Sequence, residues 1–200
     1  LLLLFLGLSS FPAFAGHRAV ANVLVLHSYH HGLKWTADID VGIRNTFYAA
    51  GEPVNLHVEY LDAKRFELNS DLQSHLERLL AYKLGKVEFD LVILSDNDAF
   101  NFALRNRTSI FRGKPIVFCG VNGFNAELIE GVDDITGVSE EPQLGATLNL
   151  AREFQPELEE IIVIGSEMSV TGRLMSTRIS RQVSVFPDLR FSFWNDLPLE

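Results

Sequence analysis

Short β-branched runs alternate along this chain with segments whose apolar residues recur at helical spacing. NVLVLH, NLHVEY, FDLVILS, PIVFC and ITGV are the runs. Strands that are apolar throughout are buried on both faces, and a sheet buried on both faces is parallel and covered by helices. Crossovers of the observed length are right-handed, so the expected fold is α/β with a doubly wound parallel sheet.

The helical spacing is read residue by residue. Trp35, Ile39, Ile43 and Phe47 define one face of a helix over 35–50, ended by Gly51-Glu52-Pro53. Leu72, Leu76, Leu79 and Lys83 define a second helix over 70–84, stopped by Gly85. Phe100, Ala103 and Leu104 line a third over 97–105, and a short helix is expected near 125–129. The five strands are placed at 22–27, 55–60, 89–95, 115–119 and 135–138. A new unit then begins, with helices over 142–154 and 169–183 and strands over 160–164 and 190–194. Two parallel strands are not a stable sheet by themselves. The expected organisation is therefore a first lobe at 20–140, then a hinge crossover and a truncated second lobe at 141–200.

Composition narrows the function classes. The 200 residues are 47% hydrophobic and 22% charged, with a net charge of −9. Disorder is disfavoured by the first two figures, and binding to a nucleic-acid backbone by the third. Cys119 is the lone cysteine, so no intrachain disulfide or multi-cysteine zinc site can form. Residues 1–8 are apolar, and Ala13-Phe14-Ala15 precedes Gly16. That pattern is expected of a signal peptide over 1–15, cut after Ala15, or else of an uncleaved N-terminal anchor. The remainder is expected to be exported to the periplasm.

In an open parallel sheet, ligands bind beyond the carboxyl ends of the strands at the switch point. Ser28, Tyr29, His30, His31 and Trp35 follow the first strand, and Glu59, Tyr60 and Asp62 the second. Asp96, Asn97 and Asp98 follow the third, and Gly120, Val121 and Asn122 the fourth. The plain alternative for Asp96 and Asn97 is capping of the next helix. Other chemistries fit poorly. His27, His30 and His31 lie on a strand end and turn without a carboxylate at ligand spacing, so no metal is expected. Asp96-Asn97-Asp98 follows the third strand and runs into Ala99, unlike a phosphatase nucleophile motif. No glycine-rich phosphate loop or nucleophile elbow is present. Cys119 reads as a small core residue. No cofactor and no catalytic residue is expected.

SY-x-x-x-x-x-W, EYLD-x-K, SDNDA and PIVFCGVN occur together in residues 20–172. In this the chain resembles the extracytoplasmic sensor domains of bacterial membrane signalling proteins, especially sensor histidine kinases. Those domains are similar to ABC-transporter substrate-binding proteins of the type I periplasmic-binding-protein fold. The resemblance implies a two-lobed clamshell that does no chemistry, with hinge strands near 135–140. It implies a small-molecule ligand in the cleft, held by Ser28, Tyr29, Trp35, Asp96, Asn97, Asp98, Asn122 and Glu140 from the first lobe and hinge. Ser166 and Thr171 would contribute from the second. Aromatic and carboxylate groups suit an amino acid, an amine or a polyol. Membrane attachment would come through the parent protein, and a homodimer is open if that parent is a sensor kinase. The alternative is a solute-binding protein of an ABC transporter.

Overall fold

The computed structural model describes residues 20–66, 68–167, 170–195 and 197. The export-signal expectation for 1–15 lies outside the described residues. The elements run β1 (Ala21–His27), α1 (Lys34–Ala50), β2 (Val54–Tyr60), α2 (Ser70–Leu84), β3 (Leu91–Ser95), α3 (Asp96–Arg105) and β4 (Ile116–Asn122). A 3-10 turn over Ala126–Ile129 replaces the expected short helix, and β5 (Ile135–Glu140), α4 (Leu144–Phe154), β6 (Glu160–Gly165), α5 (Val170–Val185) and β7 (Arg190–Asn195) follow.

One sheet has the order β2-β1-β3-β4-β5 with every neighbouring pair parallel, and β6 pairs parallel with β7 in a second sheet. The chain goes outward from β1 to β2 and returns across β1 to β3. The switch point therefore lies between β1 and β3, where His27 sits level with Ser95.

Alternation along β1 divides its side chains between two helical layers. Leu24 and Leu26 join Val92, Leu94, Ile116 and Phe118 in the main core. Phe100, Phe102, Ala99 and Ala103 of α3 and Leu80 and Leu84 of α2 close that core. The other face is thinner: of α1 only Thr36 is buried. Trp35, expected to begin the apolar stripe of α1, is 45% exposed. The stripe of α2 is also rotated from the expected one. Leu76, Leu80 and Leu84 meet the core, whereas Leu79 is exposed and Lys83 pairs with Glu59 of β2 at 2.5 Å. A spacing of i, i+4, i+8 follows one face as well as i, i+4, i+7 does, and burial of Leu76, Leu80 and Leu84 against the core selects the first, leaving Lys83 to pair with Glu59.

The helix ends obey local rules. Gly51 takes a left-handed φ of 67° and its N–H closes α1. Asn69 caps α2 by accepting from Leu72 N–H at 3.0 Å. β4 runs three residues beyond the expected strand, to Asn122, because it pairs with β5 across a bulge between Cys119 and Val121.

Burial differs between the two sheets. The last five residues of β1 are buried, but in β6 only Val163 is. Hydrogen exchange is expected to be slow at amides of β1 and β3 and faster at β6 and β7. Equal protection factors across both sheets would refute this.

Candidate ligand-binding cleft

The carboxyl ends of β1, β3 and β4 meet α1, α3 and α5 around a cavity of about 400 Å³. Its lining includes Tyr29, Trp35, Asp96, Asn122, Glu140 and Thr171, six of the ten nominated residues. Lys64, Pro142 and Met175 complete it.

Asp96 is the centre of this arrangement. It takes a φ of 67° although it is not glycine, a conformation with a steric penalty for an L residue of about 1 kcal/mol. Its carboxylate does not cap α3. Instead it is 4% exposed and accepts the Trp35 indole N–H at 2.8 Å. Burial pushes its pKa up to about 6; the Trp35 hydrogen bond opposes this and the Glu140 charge adds to it. Burial and the Asp96 charge also raise the Tyr29 hydroxyl above its ordinary range. That hydroxyl reaches Thr171 Oγ1 at 3.3 Å, linking β1 to the first turn of α5.

The bulge in β4 shapes the wall opposite. Gly120 has φ 69°, and a Cβ there would stand 3.4 Å from the Trp35 ring and 3.6 Å from Asp96 Oδ1. Those are ordinary contacts that a side chain could make, so it is the left-handed φ at the bulge that calls for glycine. Asn97 then grips Asn122: its Nδ2–H donates to Asn122 O at 2.8 Å, and its Oδ1 accepts Asn122 N–H at 3.0 Å. The freed Asn122 side chain donates to Glu140 Oε2 at 2.9 Å.

The other nominated residues do different work. Ser28 is fully buried, donates to Ser95 O at 2.7 Å and accepts Ala99 N–H at 2.8 Å. It is Ser28, from the turn after β1, that accepts this N–H of α3. Neither Ser28 nor Asn97 lines the cavity; both position groups that do. Asp98 is half-buried beside this edge, its pKa raised by burial against the pull of Arg173 and Arg105. Ser166 is exposed beyond β6 and does not line the cavity. Lys64 stands in the EYLD-x-K motif, but nothing local distinguishes a turn lysine that lines a cleft from a solvated one.

Burial, with the Asp96 charge adding to it, pushes the Cys119 thiol up to about 11, so it is protonated at neutral pH. Among the described residues no group of three or more His, Cys, Asp or Glu could hold a metal, and no helix is long and apolar enough to cross a membrane. What the cleft offers is two carboxylates, one ammonium, an amide and two aromatic faces.

Neither a protein-family model nor a curated protein matches the chain. Solved structures do. A conserved domain protein from Vibrio cholerae is 16% identical with a TM-score of 0.60, over 89% of this chain and 58% of that one. An ABC domain from Streptococcus pneumonia, in complex with L-Trp, is 16% identical with a TM-score of 0.59, over 86% and 56%. A substrate binding protein with adhesive properties from Clostridium difficile, in its ligand-free open form, is 12% identical with a TM-score of 0.57, over 90% and 58%. The chain thus spans less than three fifths of each of these structures. The likeness is one of fold: an α/β chain with a parallel central sheet.

Proposed function

We propose that this chain is a small-molecule-binding domain that holds its ligand between residues 20–140 and the unit beginning at 141. The observation that carries the reading is the convergence of six nominated side chains on one cavity. They come from the turn after β1, from α1, α3, β4 and β5, and from α5 of the second unit. A ligand touching both units favours a closed arrangement by its extra affinity for that state, so binding shifts a population of open and closed forms. The setting is an extracytoplasmic sensor domain of a membrane signalling protein, the parent being a sensor histidine kinase. Its support is the set of motifs in residues 20–172.

A second reading, a solute-binding protein of an ABC transporter, is favoured by two structures of like fold, an ABC domain and a substrate binding protein. The gene sequence past Glu200 separates the two. A transmembrane helix followed by a phospho-accepting histidine helix selects the sensor, and an open reading frame that ends without either selects the transporter component.

The cleft itself is tested by a thermal-shift screen of amino acids, amines and polyols, followed by calorimetric titration of the hits. Asp96→Ala should weaken binding roughly tenfold to a hundredfold, the value of a hydrogen bond to a charged group. Asp188→Ala, which removes an exposed pair with Arg152, should leave it unchanged. Equal affinity of folded Asp96→Ala and Asp188→Ala would place the ligand elsewhere.

A further inference from the structure

The Lys64 ammonium lies 4.4 Å from the centre of the Tyr29 ring, on the wall of the cleft. Its place is held from both sides. Leu61 N–H and Ala63 N–H donate to His27 O and Ser28 O, both at 2.9 Å, which ties the turn after β2 to the end of β1. Arg65 pairs with Asp62, which takes a left-handed φ of 62°. The lysine side chain itself is exposed, and among the described residues no carboxylate is within ion-pairing distance of its ammonium. A cation with no ion-pair partner among the described residues therefore covers an aromatic face that a ligand would use, opposite the carboxylates of Asp96 and Glu140.

We propose that Lys64 is a tethered competitor: a ligand's cationic group enters against Asp96 and Glu140 and displaces the lysine from Tyr29 into solvent. The inference rests on the cleft reading above and names its ligand class, a cation joined to a flat apolar body. Three features favour displacement over a clamp on a ligand anion. The ammonium lies against a π face. The other charged lining groups are acids, so the complementary ligand group is positive. The four-carbon stem is on the surface and free to swing outward. An arriving cation competes for the ring and repels the ammonium, whereas a neutral ligand leaves Lys64 in place and finds the aromatic wall covered.

The test uses two probes with the same phenylethyl body and opposite charge, phenethylamine and 3-phenylpropionate, titrated calorimetrically at pH 7.5. The proteins are the wild-type chain, Lys64→Met, Lys86→Met, Tyr29→Ala and Asp96→Asn. Methionine keeps the stem and removes the charge. Lys64→Met should tighten phenethylamine roughly two- to fivefold, the worth of one exposed cation–π contact, and weaken 3-phenylpropionate. Lys86, which lies 5.1 Å from the Tyr82 ring, is a like contact away from the cleft and should change neither. Weaker or unaltered phenethylamine binding in Lys64→Met overturns the proposal, as does no measurable binding of this amine to wild type and Lys64→Met alike. If Tyr29→Ala and Asp96→Asn abolish binding while Lys64→Met does nothing, only the role of Lys64 falls. If the amine binds and those two variants do nothing, the cleft reading falls with it.

Discussion

Asp96→Asn should stabilise the protein by about 3 kcal/mol at pH 7.5 and make its stability rise more steeply with pH between 4 and 6. Two buried groups at the switch point titrate in opposite senses. Asp96 has its pKa raised from 3.8 to about 6 by burial. Between those values the folded state holds a proton that the unfolded chain has lost, so stability falls as pH rises through the window and stays lower above it. His27, fully buried at the end of β1, has its pKa lowered from 6.5 to about 4, again by burial. Between those values the unfolded chain holds the proton, so stability rises with pH. Each shift is about two units, or about 3 kcal/mol, and the two nearly cancel between pH 4 and 6.5. The titratable groups facing Asp96 are Tyr29, Lys64, Glu140 and Cys119; those facing His27 are Asp40, His31 and Tyr60. Asparagine removes the first effect, accepts the same Trp35 N–H and tolerates the left-handed backbone better. The variant should match wild type near pH 4 and exceed it above pH 6.5. Urea unfolding from pH 4 to 7.5 measures this, and an unchanged midpoint at pH 7.5 would refute it. The same charge is the one assigned to the ligand, so the stabilised variant should bind a cation more weakly. A buried, strained carboxylate that lowers stability is what a binding site needs and a fold does not.

Gly137→Ala should destabilise the chain by about 3 kcal/mol. A Cβ at Gly137 would stand 2.2 Å from Phe118 O and 2.5 Å from the Phe118 ring. Phe118 is its register partner on β4 and cannot yield, since its ring is buried against Phe100 and Phe124 at centroid distances of 5.0 Å and 4.8 Å. Overpacking against backbone is relieved only by moving a strand, at the upper end of its usual effect. β5 pairs with β4 alone, so it is the strand that moves, and Glu140 moves with it. Chemical denaturation should show the loss, and ligand affinity should fall in the folded fraction. Gly42→Ala on α1 is the counterpart: a Cβ there meets nothing within 4 Å, and alanine should stabilise the helix by about 0.5–1 kcal/mol. Similar stability for the two variants would overturn the steric account.

Local pattern alone made the strands, the helices and their order legible, because a buried β-branched run and a 3.6-residue period are properties of contiguous residues. It also nominated the carboxyl edge of the sheet as the place for a ligand, since in an open parallel sheet the switch point lies there. Facing was less legible. The stripe of α2 and the exposure of Trp35 depend on which surface each helix meets, and that surface comes from residues far away in sequence. The roles at the cleft were least legible of all. Ser28, Tyr29, Asp96 and Asn97 were nominated together, as neighbours on two turns. Only the packing of β4 against α3 turns Asn97 toward Asn122, sends Ser28 to the first turn of α3 and leaves Asp96 facing the cavity. Lys64 gained its place from the turn after β2 folding onto β1. Sequence determines which chemical groups are carried to the edge of the sheet; the tertiary structure decides which of them are satisfied by protein partners and which face the cleft, because hydrogen bonds and burial join residues that the chain keeps apart.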